Sequence, residues 1–265
     1  MREFNFHRPS SVADAVALVK KGPAAKYLGG GQSLLPVLKL EMAEPSDLVS
    51  LAKLGDLRGV RSEPGKLLIG ASTTHAEVNA SAEVKRAIPA LSKLADSIGD
   101  AQVRNRGTIG GSVAHADPAA DYPAALVGLG ATVKTDRRTI AADDFFTGLF
   151  ETALEADELV LAVHFPVPDR AGYAKFASHA SRYALVGVMV SQSAAGVRVA
   201  VTGAGPKVFR VEAMEKALAA SFTPDAIAGI SVSAEDLLSD ADASADYRAH
   251  LVTVMAKRAV ASALA

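Results

Sequence analysis

Two short glycine-rich segments constrain this chain more than any other feature. The first reads Gly29-Gly30-Gly31-Gln32-Ser33-Leu34 and the second reads Arg106-Gly107-Thr108-Ile109-Gly110-Gly111-Ser112. Each concentrates backbone N–H groups where side chains are small, and successive N–H groups of this kind form concave anion sites. Ser33, Thr108 and Ser112 add hydroxyl donors. Two such segments predict a dinucleotide held between two subdomains.

Neither segment fits the common nucleotide-binding motifs. The dinucleotide pattern G-x-G-x-x-G fails because Leu34 stands at its last position, and the chain has no Walker A sequence. Few cations surround the first segment, but backbone N–H groups can carry much of the charge of a diphosphate, and Arg104 and Arg106 could add a charge-assisted contact to the second. The simpler alternative, that both segments are only tight turns, remains open.

Composition excludes several classes of site. The chain of 265 residues has no cysteine, which excludes disulfides, a thiolate-bound iron–sulfur cluster and a zinc ribbon in this chain. A net charge of -1 argues against a nucleic-acid binder. No apolar stretch reaches the length of a membrane helix, and the N-terminal residues lack the apolar region of a signal peptide. We expect a cytoplasmic protein without a transmembrane segment.

Hydrophobic periodicity and turn residues predict three units. Residues 1–54 alternate strand and helix patterns, and residues 55–166 contain a hairpin at Glu63-Pro64-Gly65, a capping box at Thr74 and Glu77, and a helix 122–129 with Asp121 as its N-cap. The prolines of segment 166–170 mark a boundary. Residues 170–265 carry strands and then helices, which is typical of an α+β domain.

The motifs and their flanks resemble a known family. The first segment is similar to a family motif A-G-G-Q/H-S-L, and the second to T-I/V-G-G within Gln102–Ser112. The run His115-Ala116-Asp117-Pro118-Ala119-Ala120-Asp121 matches as well. The chain thus resembles the FAD-binding medium subunit of the molybdenum hydroxylases, the carbon monoxide dehydrogenase and xanthine dehydrogenase type. The similarity extends from the N-terminus to beyond residue 200.

The resemblance implies a fold and a cofactor. It implies an α+β chain with a vanillyl-alcohol-oxidase-type (PCMH) FAD-binding domain in two subdomains, 1–54 and 55–166, followed by a carbon monoxide dehydrogenase flavoprotein-type domain, 170–265, that covers the flavin. The residues implied in FAD binding are both glycine-rich segments in full (29–34 and 106–112), the carboxylate of Asp121, the aliphatic Val160, and Lys175 near the ring. Tyr173 is implied to shield one ring face, and Lys175 and Tyr173 are the candidates for tuning the flavin.

The resemblance also implies a function. The chain would take electrons from a small [2Fe-2S] subunit to FAD and pass them to an external acceptor, while a large molybdopterin-binding subunit oxidises the substrate. The implied assembly is a dimer of heterotrimers in the cytoplasm, with a position at the inner face of the membrane left open. The substrate (carbon monoxide, a purine, an aldehyde or an N-heterocycle) and the acceptor (quinone, NAD or oxygen) also stay open.

Two alternatives remain at this stage. A stand-alone reductase of the UDP-N-acetylenolpyruvoylglucosamine type has similar glycine loops but needs its own substrate acid and base, and the sequence shows no convincing pair. A non-catalytic nucleotide-binding assembly module is the other.

His115, Asp117 and Asp121 resemble metal ligands by residue type, but their spacing fits no helix face and no known ligand frame, so we expect no metal site.

Overall fold

The first unit of the computed structural model, which describes residues 2–265, is a small parallel sheet covered by one helix. Its strands, in the order β1-β3-β2, are β1 (Asn5–His7), β2 (Lys26–Leu28) and β3 (Asp47–Ser50). Helix α1 (Val12–Lys21) begins where the Ser11 side chain accepts a hydrogen bond from the N–H of Asp14, and it ends at Gly22. The first glycine segment follows β2 directly and leads into the short helix α2 (Leu34–Lys39). The predicted alternation of strand and helix patterns in this unit is confirmed, in the order β1, α1, β2, α2, β3.

An antiparallel sheet forms the frame of the second unit. Its five strands, in the order β4-β5-β10-β6-β7, are β4 (Val60–Glu63), β5 (Lys66–Gly70), β6 (Thr132–Thr135), β7 (Thr139–Ala141) and β10 (Val160–Pro166). A separate two-stranded ribbon joins β8 (Phe146–Gly148) to β9 (Glu151–Thr152). The hairpin predicted around Pro64-Gly65 is confirmed as the β4–β5 pair.

Short helices cover this sheet. They are α3 (His75–Ala80), α4 (Ala82–Ala87), α5 (Pro89–Asp96), α6 (Ala101–Arg106), α7 (Ile109–His115), α8 (Tyr122–Gly128) and α9 (Ala142–Phe145). The capping box is confirmed, because Thr74 and Glu77 each accept a hydrogen bond from the other's backbone N–H. Tyr122, Phe145 and Phe165 are fully buried beneath these helices, so the main core lies between the helices and the sheet.

The second glycine segment differs from the predicted loop, because residues 109–112 form the first turn of α7. Thr108 caps this helix by accepting a hydrogen bond from the N–H of Gly111. The turn is held from outside, since the N–H of Gly110 donates to the carbonyl of Ala71 at 2.9 Å. Tertiary contact therefore overrides the low helix propensity of glycine at this point.

The third unit is a four-stranded antiparallel sheet with two helices on one face. In spatial order the strands are β11 (Arg170–Ala177), β12 (Ala184–Ser193), β13 (Gly196–Thr202) and β14 (Phe209–Arg210), and the helices are α10 (Glu212–Ala220) and α11 (Ala245–Leu264). Val186, Val188 and Val190 face the helices. Met189, on the opposite face of β12, joins the core of the second unit.

Both faces of β12 are therefore buried, and the third unit packs on the second through its sheet. The predicted α+β class, with two N-terminal units followed by a smaller α+β unit, is confirmed. The residue limits 1–54, 55–166 and 170–265 stay predictions. Within residues 2–265, no helix is long and apolar enough to cross a membrane.

Candidate functional site

A cavity of about 700 Å³ opens where the three units meet. Its walls come from the first glycine segment, the start of α7, the loop before α8, the approach to β10 and the tip of the β11–β12 hairpin. A volume of this size lies within the range of small-molecule and cofactor sites, roughly 300–1,000 Å³. The cavity is the natural place to look for the ligand predicted from the glycine segments.

The first glycine segment presents free donors to this cavity. Within the described residues, the backbone N–H groups of Gly30 to Leu34 donate to no protein acceptor. Gly31 has a φ of +77°, which turns the chain into the left-handed region that glycine tolerates best. Consecutive N–H groups in such a turn form a concave anion site. The segment therefore has the backbone geometry of an anion site, and its binding of a diphosphate stays a prediction.

The second glycine segment contributes in a different way. The N–H groups of residues 109–112 donate within the protein, to the carbonyls of Thr73, Ala71 and Thr108 and to the Thr108 hydroxyl. The expectation that these N–H groups form a second open cradle is wrong. Gly107, Gly110 and Gly111 instead give the cavity a wall without side chains, and Thr108 and Ser112 line it as well.

The two segments pack against each other through their glycines. A Cβ atom on Gly30 would stand 2.0 Å from the carbonyl oxygen of Arg106, and one on Gly29 would stand 3.1 Å from Oγ1 of Thr108. Glycine is thus required at position 30 because two backbones approach there. This contact holds the free N–H groups of the first segment beside the start of α7.

Asp121 lies in the cavity wall and is 5% exposed. Asp121 stands at the N-cap position of α8, as predicted, but its side chain makes no capping hydrogen bond. Its carboxylate instead accepts hydrogen bonds from the Tyr173 hydroxyl at 2.5 Å and from Nζ of Lys175 at 3.2 Å. Burial raises the pKa of Asp121, while the Lys175 ammonium and the Tyr173 hydroxyl oppose that rise. The carboxylate is thereby fixed as an acceptor facing the cavity.

The loop that carries Asp121 is held by the third unit. The Thr202 hydroxyl lies within hydrogen-bond distance of the carbonyls of Pro118 and Ala120 and shares its single O–H between them, and the N–H of Ala184 donates to the carbonyl of Ala119. The ends of β12 and β13 therefore fix one wall of the cavity, so the third unit shapes the site as well as covering it.

The structure brings most of the predicted site residues to the cavity. The ones that line it are Gly29, Gly30, Gly31, Gln32, Ser33, Leu34, Gly107, Thr108, Gly110, Gly111, Ser112, Asp121 and Val160. Four do not: Ile109 is fully buried in the core, Tyr173 and Lys175 lie behind Asp121, and Arg106 lines a second cavity of about 350 Å³ with Arg8 and Lys53. The direct cofactor contacts implied for these four residues stay predictions.

Two polar side chains of the cavity wall, Tyr183 and His75, are among those not predicted from the sequence. Tyr183, at the tip of the β11–β12 hairpin, is 43% exposed. Partial burial raises the pKa of Tyr183, the carboxylate of Asp117 adds to the rise, and the nearby Ser33 hydroxyl opposes it. His75 is buried at the start of α3, and burial together with the Arg104 guanidinium lowers its pKa to about 4. Only the capping box gave a signal for His75, and no motif marks Tyr183.

The three side chains weighed as metal ligands do not form a metal site here. Within residues 2–265, no group of three or more histidine and carboxylate side chains comes together in a way that could hold a metal ion. His115 and Asp117 line the cavity, and the ring of His115 packs against Phe150 with 5.2 Å between centroids.

Comparison with known proteins decides the family. Residues 2–168 match the model of the FAD binding domain in molybdopterin dehydrogenase, and residues 171–263 match the CO dehydrogenase flavoprotein C-terminal domain. The chain belongs to the FAD-binding medium subunits of the molybdenum hydroxylases.

Relatives of this family match the chain over nearly its whole length. The carbon monoxide dehydrogenase medium chain of Hydrogenophaga pseudoflava is 36% identical over 99% of this chain and 97% of its own length. The nicotine 6-hydroxylase medium subunit of Paenarthrobacter nicotinovorans is 36% identical over 96% and 95%. Both relatives are named as one chain or subunit of a larger enzyme.

Solved structures of the family share the fold. Carbon monoxide dehydrogenase from Hydrogenophaga pseudoflava, lacking the Mo-pyranopterin moiety, superposes with a TM-score of 0.89 at 37% identity, covering 99% of this chain and 98% of that one. Quinoline 2-oxidoreductase from Pseudomonas putida 86 gives a TM-score of 0.89 at 29% identity, covering 99% and 97%. The cofactor of this medium subunit is FAD, and the cavity with its unpaired N–H groups fits a dinucleotide.

Proposed function

We propose that this chain relays electrons through FAD, from a partner [2Fe-2S] subunit to an external acceptor, within a molybdenum hydroxylase. The observation that carries the proposal is the run of five N–H groups, Gly30 to Leu34, without protein acceptors beside a cavity of cofactor size. Backbone donors without a protein partner are rare in folded chains, so a run of five along a cavity wall favours a ligand with several acceptor oxygens. A diphosphate is such a ligand.

Different cavity residues contact different parts of the cofactor. Residues 30–34 bind the diphosphate, and the Asp121 carboxylate accepts hydrogen bonds from N–H or O–H groups of the cofactor. Val160 and Leu159 supply apolar wall, and Tyr183 limits the access of water at the open side. FAD, when bound, accepts electrons singly and releases them in pairs. The protein therefore binds the cofactor and tunes its redox properties.

The division of labour in the complex follows from the composition. With no cysteine, the chain has no thiolates to hold an iron–sulfur cluster. We assign the clusters to a small subunit and molybdopterin to a large one, in a dimer of heterotrimers located in the cytoplasm. The relatives are named for carbon monoxide, nicotine and glyceraldehyde, and yet each matches this chain over nearly its whole length. Substrate choice therefore belongs to the large subunit.

The visible spectrum of the purified chain tests the proposal, together with the mass of the cofactor released from it. We expect flavin bands and the mass of FAD, either directly or after incubation with FAD, and molybdenum and iron when the partner chains are co-expressed. A colourless chain that takes up no FAD after incubation contradicts the proposal.

A further inference from the structure

The ammonium group of Lys175 is fully used by the protein. It donates to the carbonyl of Ser97 at 2.8 Å, to that of Arg182 at 3.2 Å, and to the carboxylate of Asp121, from which it is separated by 3.0 Å. An ammonium has three N–H donors, so these three acceptors satisfy it. The side chain is only 7% exposed and does not line the cavity. Lys175 therefore has no donor left for a cofactor.

The three acceptors belong to separate parts of the cavity wall. Ser97 follows α5, Asp121 lies in the loop before α8, and Arg182 lies at the tip of the β11–β12 hairpin. Removal of the ammonium would leave a buried carboxylate without its charge partner and two carbonyls without this donor. Lys175 thus joins the second unit to the hairpin tip at one buried point.

The hairpin tip depends on such an anchor. Arg182 has a φ of +63°, a conformation that costs energy for a residue with a side chain and needs support from its surroundings. Within the tip, the N–H of Arg182 donates to the carbonyl of Ser178, and the N–H of Ser178 donates to the carbonyl of Tyr183. The next residue, Tyr183, lines the cavity together with Ser181 and Arg182.

We propose that Lys175 is a positioning residue that fixes the hairpin tip over the cavity, so that Tyr183 and Asp121 are held in place for the cofactor together. The proposal rests on the function given above, because it takes the cofactor to be FAD. It replaces the direct contact between Lys175 and the flavin that the family resemblance implies. Lys175 acts on the cofactor only through Asp121 and Tyr183.

A single tryptophan can report on the tip, because the chain contains no tryptophan. In Tyr183→Trp, the fluorescence anisotropy of the indole measures the mobility of the tip, and its quenching by added FAD measures the dissociation constant. Adding Lys175→Met should lower the anisotropy of the ligand-free chain and raise the Kd for FAD at least about tenfold, the scale expected for lost hydrogen bonds to a charged group. It should also reduce the maximal quenching at saturating FAD, which a merely structural role would not change.

Lys216→Met is the matched control, because Lys216 is an exposed lysine of α10 with only a distant partner in Glu212. It should alter neither the anisotropy nor the Kd. If Lys175→Met unfolds the chain, the comparison moves to Asp121→Asn with and without Lys175→Met, in which no unpaired carboxylate is buried. The anisotropy and the maximal quenching should still fall when Lys175 is removed.

Both readouts must change together for the proposal to hold. If removal of Lys175 lowers the anisotropy but leaves the Kd for FAD unchanged, the proposal is overturned. A higher Kd with unchanged anisotropy overturns it as well. Failure of the proposed function is distinguishable, because the Tyr183→Trp chain and the wild type would then bind no FAD while the anisotropy of the ligand-free chain still responds to Lys175.

Discussion

At Gly30 two stretches of backbone approach each other too closely for any side chain. The carbonyl oxygen of Arg106 occupies the space that a Cβ atom would need. We expect Gly30→Ala to force the first glycine segment away from the start of α7, lowering the free energy of unfolding by about 1–3 kcal/mol, as overpacking does. The affinity for FAD should fall as well, because the free N–H groups move with the segment.

Urea denaturation and FAD titration of the Gly30→Ala chain check this prediction. Gly229→Ala is the control, since a Cβ atom at Gly229 meets nothing within 4 Å. Equal stability and equal FAD affinity of the two variants would show that the close approach at Gly30 does not matter.

His75 makes the stability of the chain depend on pH. Its pKa is about 4 in the folded protein because of burial and the neighbouring Arg104, against an ordinary value near 6.5. Between these values the unfolded chain binds a proton that the folded chain does not, so stability falls as the pH falls through this window, by up to about 3 kcal/mol.

His75→Gln should flatten this pH dependence, because glutamine does not titrate. Denaturant unfolding measured from pH 7 down to pH 4 tests it, with His179→Gln, which removes an exposed histidine, as the control. If the unfolding free energy of His75→Gln falls with pH as steeply as that of the wild type, other groups cause the acid sensitivity.

Among the secondary-structure elements, helix α11 carries a buried arginine that joins it to two strands. Nη1 of Arg248 donates to the carbonyls of Leu185 and Gly203, both at 2.8 Å, and its side chain is 3% exposed. Gly203 in turn donates to the carbonyl of Pro118 in the loop before α8. The contact therefore connects α11 to the cavity wall through the ends of β12 and β13.

We expect Arg248→Met to cost about 2–4 kcal/mol of unfolding free energy, because two buried carbonyls lose their donor. FAD should also bind more weakly, since the loop 117–121 loses part of its support. Arg258→Met, an exposed position on the same helix, is the control in thermal unfolding and FAD titration. A stability loss no larger than that of Arg258→Met would show that the contacts of Arg248 do not stabilise the fold.

The sequence predicts those elements that local signals determine. The hairpin at Pro64-Gly65 and the capping box at Thr74 both follow from residues within a few positions of each other, and both form. Helix α7 is missed because its glycines are typical of a turn, while the hydrogen bond that holds it reaches back to Ala71. Local patterns contain no information about that partner.

For the whole molecule, the motifs predict one wall of the proposed cofactor site but not the walls that complete the cavity. Residues 29–34 are found from sequence because their free N–H groups depend on the segment itself. Tyr183 is not found, because its place at the cavity depends on how the β11–β12 hairpin packs on the second unit. The anchoring role of Lys175 is hidden for the same reason, since its three acceptors are distant in sequence.

The central claim is that residues 30–34 hold the diphosphate of FAD, and a calorimetric titration of the chain with FAD tests it most directly. Gly31→Ala and Gly65→Ala form a matched pair, because both glycines have a positive φ, +77° and +71°, but only Gly31 lies in the cavity wall. We expect one FAD per chain for the wild type and Gly65→Ala, and at least about tenfold weaker binding for Gly31→Ala. Equal affinity in the two variants, or no binding by the wild type, would contradict it.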